Sequence, residues 1–174
     1  MEIYQPSDDS FLLAESVKEV IKKDDFTNVL DMGSGSGIQA ETAIKAGINP
    51  KNIVLADINP DAIKLLRKKF PKSKVILSDL FEKIKGKYDL IIFNPPYLPD
   101  HEFDKGADTS GGKKGSEIIN RFLSQAKKHL SDNGIILLLI SSFTKGIDWQ
   151  NYKKKLLGTK KIFFEELYVL EIKK

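Results

Sequence analysis

The sequence predicts an α/β fold in which a mostly parallel sheet is covered by helices on both faces. Short apolar runs alternate with segments of helical periodicity, the pattern of repeated βα units. A glycine-rich turn, Gly33-Ser34-Gly35-Ser36-Gly37, joins the first such run to the helix that follows it. The run Tyr88 to Phe93 ends in four uninterrupted apolar residues, as a strand covered on both faces requires. At 174 residues, with no repeat, low-complexity tract or linker, residues 1–174 are expected to form a single domain.

Ser7 is placed to cap a first helix, with Asp8 and Asp9 in the opening turn where the helix dipole favours acids. Leu13, Val17, Val20 and Ile21 then share one face. Asn28 to Met32 reads as the first strand, and a helix starts near Ile38. Asn52 to Ala56 reads as the second strand. Asn59 caps the next helix, with Pro60 at its first position, where a missing N–H costs nothing. Lys74 to Leu77 is a short third strand and Tyr88 to Phe93 the fourth. Ser116 to Leu130 is expected to be helical, ended by Asn133-Gly134, with Ile135 to Ile140 as the fifth strand. A further helix is expected around Trp149 to Leu157. The alternation Ile162, Phe164, Leu167, Val169, Ile172 then suggests a closing antiparallel pair that turns at Glu165-Glu166. Pro99 to Gly115 lacks periodicity, its second half, Asp108 to Gly115, carries three glycines, and its place after the fourth strand suggests a substrate-side lid.

Composition closes several routes. The chain has no cysteine and only two histidines, His101 and His129, so no protein-borne metal site is expected. Ile135 to Ile140, the longest apolar run, is far too short to cross a bilayer. Met1 to Pro6 lacks the features of a signal peptide, and a cytoplasmic enzyme is the expectation. The net charge is +4, and Arg67 and Arg121 are the only arginines. Nucleic-acid readers favour arginine's planar fork, so the lysines read as solvated surface.

Gly33, Gly35 and Gly37 let the backbone turn sharply and approach a ligand closely. Asp57 ends the second strand 20 residues after Gly37, where a carboxylate can accept both hydroxyls of a ribose. Asp79 and Leu80 follow the third strand, where an adenine edge can be held and its face covered. Each aspartate alone reads as no more than a helix cap. Three acidic strand ends beside one glycine turn point together to an adenosine-containing cofactor. Asp31 sits inside the first strand end, where it would repel a pyrophosphate and attract an ammonium. That choice favours S-adenosylmethionine over a nicotinamide dinucleotide, and the chain has no P-loop signature.

The fourth strand runs into Asn94-Pro95-Pro96-Tyr97. This tetrapeptide resembles the Asp/Asn-Pro-Pro-Tyr signature of class I methyltransferases acting on amide or exocyclic amine nitrogens. Such a nitrogen is a poor nucleophile because its lone pair is delocalised. The Asn94 side-chain oxygen and the Pro95 carbonyl could accept its two N–H groups and aim the lone pair. Tyr97 could cover the planar face of the group.

More of the chain resembles one branch of that group, the stand-alone release-factor glutamine methyltransferases of archaea and eukaryotes, related to the bacterial HemK type. The matching segments are Tyr4-Gln5-Pro6-Ser7-Asp8-Asp9-Ser10-Phe11, Ala56-Asp57-Ile58-Asn59-Pro60, Ser78-Asp79-Leu80, Phe93 to Tyr97 and Gly111-Gly112-Lys113-Lys114-Gly115. One departure is Thr109, where family members often carry an aromatic residue. The resemblance implies a Rossmann-like, seven-stranded class I methyltransferase sheet, mostly parallel with an antiparallel C-terminal strand. It also implies cofactor contacts at Ser10, Asp31, Gly33, Gly35, Gly37, Asp57, Ile58, Asp79, Leu80 and Asn94, with the substrate amide also at Asn94. The expected substrate is the Gly-Gly-Gln glutamine of a class 1 translation release factor. A small zinc-binding activator subunit is implied along the third-strand edge, where an unpaired strand invites pairing.

Two readings share the chemistry but not the substrate: adenine N6 or guanine N2 methylation of nucleic acid, and lysine methylation of a protein. The first usually needs a recognition domain or a basic groove, the second a poised base. A non-catalytic cofactor-binding scaffold is the alternative from another class, and an intact Asn94-Pro95-Pro96-Tyr97 argues against it.

Overall fold

The computed structural model describes residues 3–98 and 114–174. Their strands are β1 (Val29–Met32), β2 (Ile53–Asp57), β3 (Lys74–Leu77), β4 (Tyr88–Phe93), β5 (Leu130–Ser141), β6 (Lys153–Ile162) and β7 (Glu165–Lys173). The helices are α1 (Asp8–Lys23), α2 (Ile38–Lys45), α3 (Pro60–Lys69) and α4 (Glu117–His129). The strands form one seven-stranded sheet in the order β3-β2-β1-β4-β5-β7-β6. β1 to β5 are parallel, and β7 is antiparallel to both β5 and β6. The mixed sheet with a reversed C-terminal strand is as the sequence predicts.

Apolar spacing decides which face each helix covers. Leu13 and Val17 of α1 are fully buried one turn apart, and join Ala40 and Ala43 of α2 and Leu66 of α3 in one layer. Ile119, Phe122, Leu123 and Ala126 of α4 fill the other layer against Leu30, Ile91, Ile136 and Leu138. Alternate residues of β1, β4 and β5 therefore point into opposite layers, and all four residues of β1 are buried. No helix of the described residues is long and apolar enough to cross a membrane.

Three expectations are corrected. The segment read as a helix around Trp149 to Leu157 is a turn and the start of β6, which pairs with β7 from Lys153↔Lys173 to Ile162↔Glu165. Gln150 and Asn151 have φ of 46° and 64°, which a helix cannot accommodate. The closing turn lies at Phe163-Phe164, two residues before the expected Glu165-Glu166. Asn133-Gly134 does not end α4, because β5 already begins at Leu130. The dipeptide lies in a register shift between Tyr88↔Leu130 and Leu90↔Ile135, and a Cβ on Gly134 would meet Leu130 Cδ1 and the Tyr88 carbonyl at 2.9 Å. The lid expected over Pro99 to Gly115 falls mainly on residues 99–113, outside the described residues.

β1 connects outward to β2 and β3, and the chain then returns across β1 to pair β4 on its other side. The direction of winding reverses between β1 and β4. In open α/β sheets a crevice opens beyond the carboxyl ends of the strands at such a point.

Candidate active site

The crevice is lined by the carboxyl ends of β1, β2 and β4 and by the start of α1. Of the residues expected from sequence, Ser10, Asp31, Gly33, Gly35, Asp57, Ile58, Asn94, Pro95 and Tyr97 all line it. Gly37, Asp79 and Leu80 lie outside that lining. Asp79 forms an ion pair with Arg121 at 2.8 Å, and Leu80 is buried with φ of 45°.

The glycine turn is shaped by neighbours as well as by conformation. Gly37, at φ +80°, directs its missing Cβ at Phe70, whose Cε2 would lie 2.4 Å away. Its glycine is thus fixed by packing of α2 against α3. A Cβ on Gly33, at φ +62°, would meet the Phe93 ring at 3.4 Å. The Asp57 carboxylate accepts from Gly35 N at 2.8 Å and from Asn59 N at 2.8 Å, tying β2 to the glycine turn. Asn59 caps α3 as expected, accepting from Asp61 N at 2.9 Å.

Asp31 is 1% exposed and accepts one backbone bond, from Ala40 N at 3.2 Å. Burial, reinforced by the neighbouring Asp57 charge, pushes its carboxyl up to about 7. A buried carboxylate with so few donors favours a cation beside it.

Asn94 is held in one orientation by Asp9, in the first turn of α1. Its Nδ2 donates to Asp9 at 3.0 Å, while its Oδ1 is buried and has no partner among the described residues. Asp9 is 3% exposed and also accepts from Tyr4 Oη at 3.1 Å, Ser10 Oγ at 3.1 Å, Tyr97 Oη at 3.4 Å and the Ser10 backbone N–H. Burial first, and then the Asp9 charge among other causes, raises both phenols, Tyr4 to about 12 and Tyr97 further. Both therefore remain donors at neutral pH. Asp9 and Tyr4 stand in the N-terminal segment that carries the family resemblance, so their signal was present. Gln39, which donates to the Ser10 carbonyl at 2.9 Å and also lines the crevice, had none.

A winding reversal with an acid-rich crevice, beside a rigid Asn-Pro-Pro-Tyr turn, is the arrangement of a group-transfer enzyme of the class I methyltransferase type. Residues 9–162 match the family model "Methyltransferase small domain", and the chain belongs to that family. The "Putative protein N5-glutamine methyltransferase" of Methanocaldococcus jannaschii is 39% identical over 97% of this chain and 90% of its own length. The "Release factor glutamine methyltransferase" of Aquifex aeolicus is 35% identical over 89% of this chain, which spans 59% of that relative. "Methyltransferase HEMK2" of Mus musculus is 29% identical, with 79% and 71% of the two chains covered. Among solved structures, the ribosomal protein L11 methylase of Lactobacillus delbrueckii subsp. bulgaricus superposes with a TM-score of 0.65 at 19% identity, covering 98% of this chain and 81% of that one. The T. thermophilus 16S rRNA N2 G1207 methyltransferase, in complex with AdoMet and guanosine, gives 0.66 at 21%, covering 98% and 44%. Those two likenesses concern the fold.

Proposed function

We propose that this chain is an S-adenosylmethionine-dependent methyltransferase of one domain, acting on the amide nitrogen of a glutamine, that of the Gly-Gly-Gln motif in a class 1 release factor. The observation that carries the reading is the orphaned Asn94 Oδ1: a buried acceptor with no partner, its amide locked by Asp9. Buried polar groups are nearly always satisfied, so an unmatched acceptor in a crevice calls for a donor on a ligand. A primary amide brings two N–H groups. Asn94 Oδ1 takes one and the Pro95 carbonyl the other, which fixes the nitrogen's plane and stabilises the positive charge that grows on it. Tyr97 and Pro96 wall the crevice and exclude water from the nitrogen.

The crevice suits the cofactor on its own chemistry. Asp31 supplies the carboxylate that an ammonium group would pair with, beside Gly33 and Ser10. Asp57 would hold the ribose hydroxyls and Ile58 would cover the adenine, both residues lining the crevice. When bound, the cofactor supplies an electrophilic methyl group on a sulfonium. Asp79 and Leu80, which follow β3 outside the crevice lining, would bound the adenine site on its far side.

The names of the relatives support a protein substrate, as does the scarcity of arginine. The proposal extends to a cytoplasmic setting, where translation factors are found, and to a zinc-binding activator at the β3 edge. β3 is an outer strand of the sheet with Leu77 37% exposed, the kind of edge that accepts a partner.

The test incubates the chain, the cofactor and a class 1 release factor, with and without the activator, and locates methyl groups by mass spectrometry. One methyl on the motif glutamine is expected. Asn94→Ala should lower kcat roughly 10²–10³-fold, the loss typical of one polarising contact, with cofactor affinity nearly intact. Equal methylation of a factor whose glutamine has been replaced would refute the substrate.

A further inference from the structure

The β6–β7 hairpin turns through Phe163 and Phe164, which are 89% and 95% exposed. Phe163 holds φ at 51°, the left-handed region that hairpin turns normally fill with Gly, Asn or Asp. A bulky aromatic in that conformation is a genuine outlier, and neither ring packs into the fold. Replacing both residues by ordinary turn residues would cost the folded chain nothing. Strain and exposure of this kind, retained together, indicate a task outside the fold.

The hairpin's place narrows that task. β7 meets the end of β5 at Ser141↔Leu167, and Ser142 N donates to the Glu166 carbonyl at 2.8 Å. The tip therefore projects past the carboxyl end of β5, on the same rim as the crevice. Lys160 of β6 pairs with Asp8 of α1 at 2.8 Å, one residue before the Asp9 that holds Asn94. Glu165, directly after the tip, is close enough for its charge to help raise the Tyr4 and Tyr97 phenols. Its Oε1 is buried without a partner among the described residues. Phe143, 44% exposed beside Ser142, and Phe11, 51% exposed next to Ser10, extend the aromatic rim.

We infer that this hairpin tip is where the polypeptide substrate docks: an apolar side chain near the target glutamine lies against Phe163 and Phe164, and a backbone N–H reaches the free Glu165 oxygen. The inference rests on the glutamine-amide reading and adds how the enzyme recognises the chain around that amide. The local charge favours a polypeptide over a nucleic acid. Stacking of bases on exposed rings normally accompanies a positive groove. Here Lys160 pairs with Asp8, Lys161 lies opposite Glu166 in the ladder with Glu165 adjacent, and Lys145 is turned onto the Ser142 carbonyl at 2.8 Å. A phosphate backbone would meet a balanced or acidic rim, whereas apolar and amide groups meet complementary ones.

The double variant Phe163→Asn/Phe164→Ser tests this. It should fold, melt no lower than wild type and bind S-adenosylhomocysteine unchanged. KM for an intact class 1 release factor should rise about ten- to a hundredfold, the range for losing two aromatic anchors, with kcat little altered. Glu165→Gln should raise KM by a smaller factor. Hydrogen exchange at residues 160–167 should slow when the factor is added to wild type. If wild type methylates the factor and the double variant does so with the same KM, the docking role is wrong and the glutamine reading stands. If the factor slows exchange at the hairpin but receives no methyl, the glutamine reading fails and the docking surface survives. If it neither binds nor is methylated, both fail. A wild-type dimer that the double variant abolishes, or a loss of RNA affinity without loss of factor affinity, would assign the tip to another occupant and overturn the inference.

Discussion

One carboxylate decides which end of the Asn94 amide faces the crevice. Asp9 accepts from Tyr4, Ser10, Asn94 and Tyr97, and no other described group offers Asn94 Nδ2 an acceptor. Asp9→Ala leaves buried donors unsatisfied at an expected cost of about 1–3 kcal/mol in stability. It also frees the amide to turn. Turnover should then fall roughly 10–10²-fold, a mispositioning loss, while KM for the protein substrate, set in part away from the crevice, changes much less. Asp9→Asn is the discriminating partner, because it keeps the volume but offers a donor as readily as an acceptor. A purely structural Asp9 would let Asp9→Asn recover stability and turnover together; a positioning Asp9 recovers stability first. At this scale the sequence was readable wherever a polar residue closes an apolar strand. Asp31 and Asn94 interrupt apolar strand ends with groups the fold leaves under-partnered, whereas Asp57 also serves the fold by accepting from Gly35 N and Asn59 N. Asp9 was obscured because an acid in the first turn of a helix already has a sufficient local explanation in the helix dipole.

Elements were legible where local preference and tertiary pairing agree. The first four strands and α1 to α4 follow periodicity, and α3 has its Asn59 cap, whereas Ser7 stands at the N-cap of α1 without a side-chain capping bond; observed ends fall within one or two residues of expectation. β6 was not, because Trp149, Tyr152, Leu156 and Leu157 fit a helical spacing about as well as an extended one. What settles it is the neighbour: β7 offers a ladder from Lys153 to Ile162, broken only by a register shift between Leu156 and Gly158, and Tyr152 is buried with its hydroxyl donating to the Leu123 carbonyl at 3.0 Å. The glycine turn carries a similar lesson. Gly33, Gly35 and Gly37 look equivalent in the sequence, yet only Gly37 confronts a ring at 2.4 Å. Gly37→Ala should therefore destabilise by roughly 1–3 kcal/mol through overpacking and an unfavourable φ. Chemical denaturation gives the value. Phe70→Leu should recover part of the loss by removing the clashing atoms, which a loss due to backbone conformation alone would not permit.

At the scale of the whole molecule, the role proposed for Asp31 ties cofactor binding to pH and stability. Its carboxyl lies at about 7 in the folded chain, against an unperturbed value of 3.8. Between those values the folded state retains a proton that the unfolded state releases, so stability declines as pH rises through this window and stays lower above it. An ammonium-bearing ligand reverses the preference by favouring the carboxylate. Its affinity should rise as pH rises through about 7, by up to tenfold per unit below that point, and level off above it. The two effects predict a thermal signature. At a hundredfold excess over Kd a ligand adds about 2.7 kcal/mol, which is roughly 5–11 °C for a chain of this size. S-adenosylhomocysteine at a fixed concentration should thus raise Tm more at pH 8 than at pH 6. Asp31→Asn separates the terms: without ligand it should melt higher than wild type at pH 8, because a costly buried charge is gone, and the ligand-induced rise should largely disappear. Thermal melts of both proteins at the two pH values, with and without the ligand, measure all of this. An Asp31→Asn chain that still gains the full rise in Tm would show that the ammonium is held elsewhere, and that the buried acid at the tip of β1 serves the fold alone.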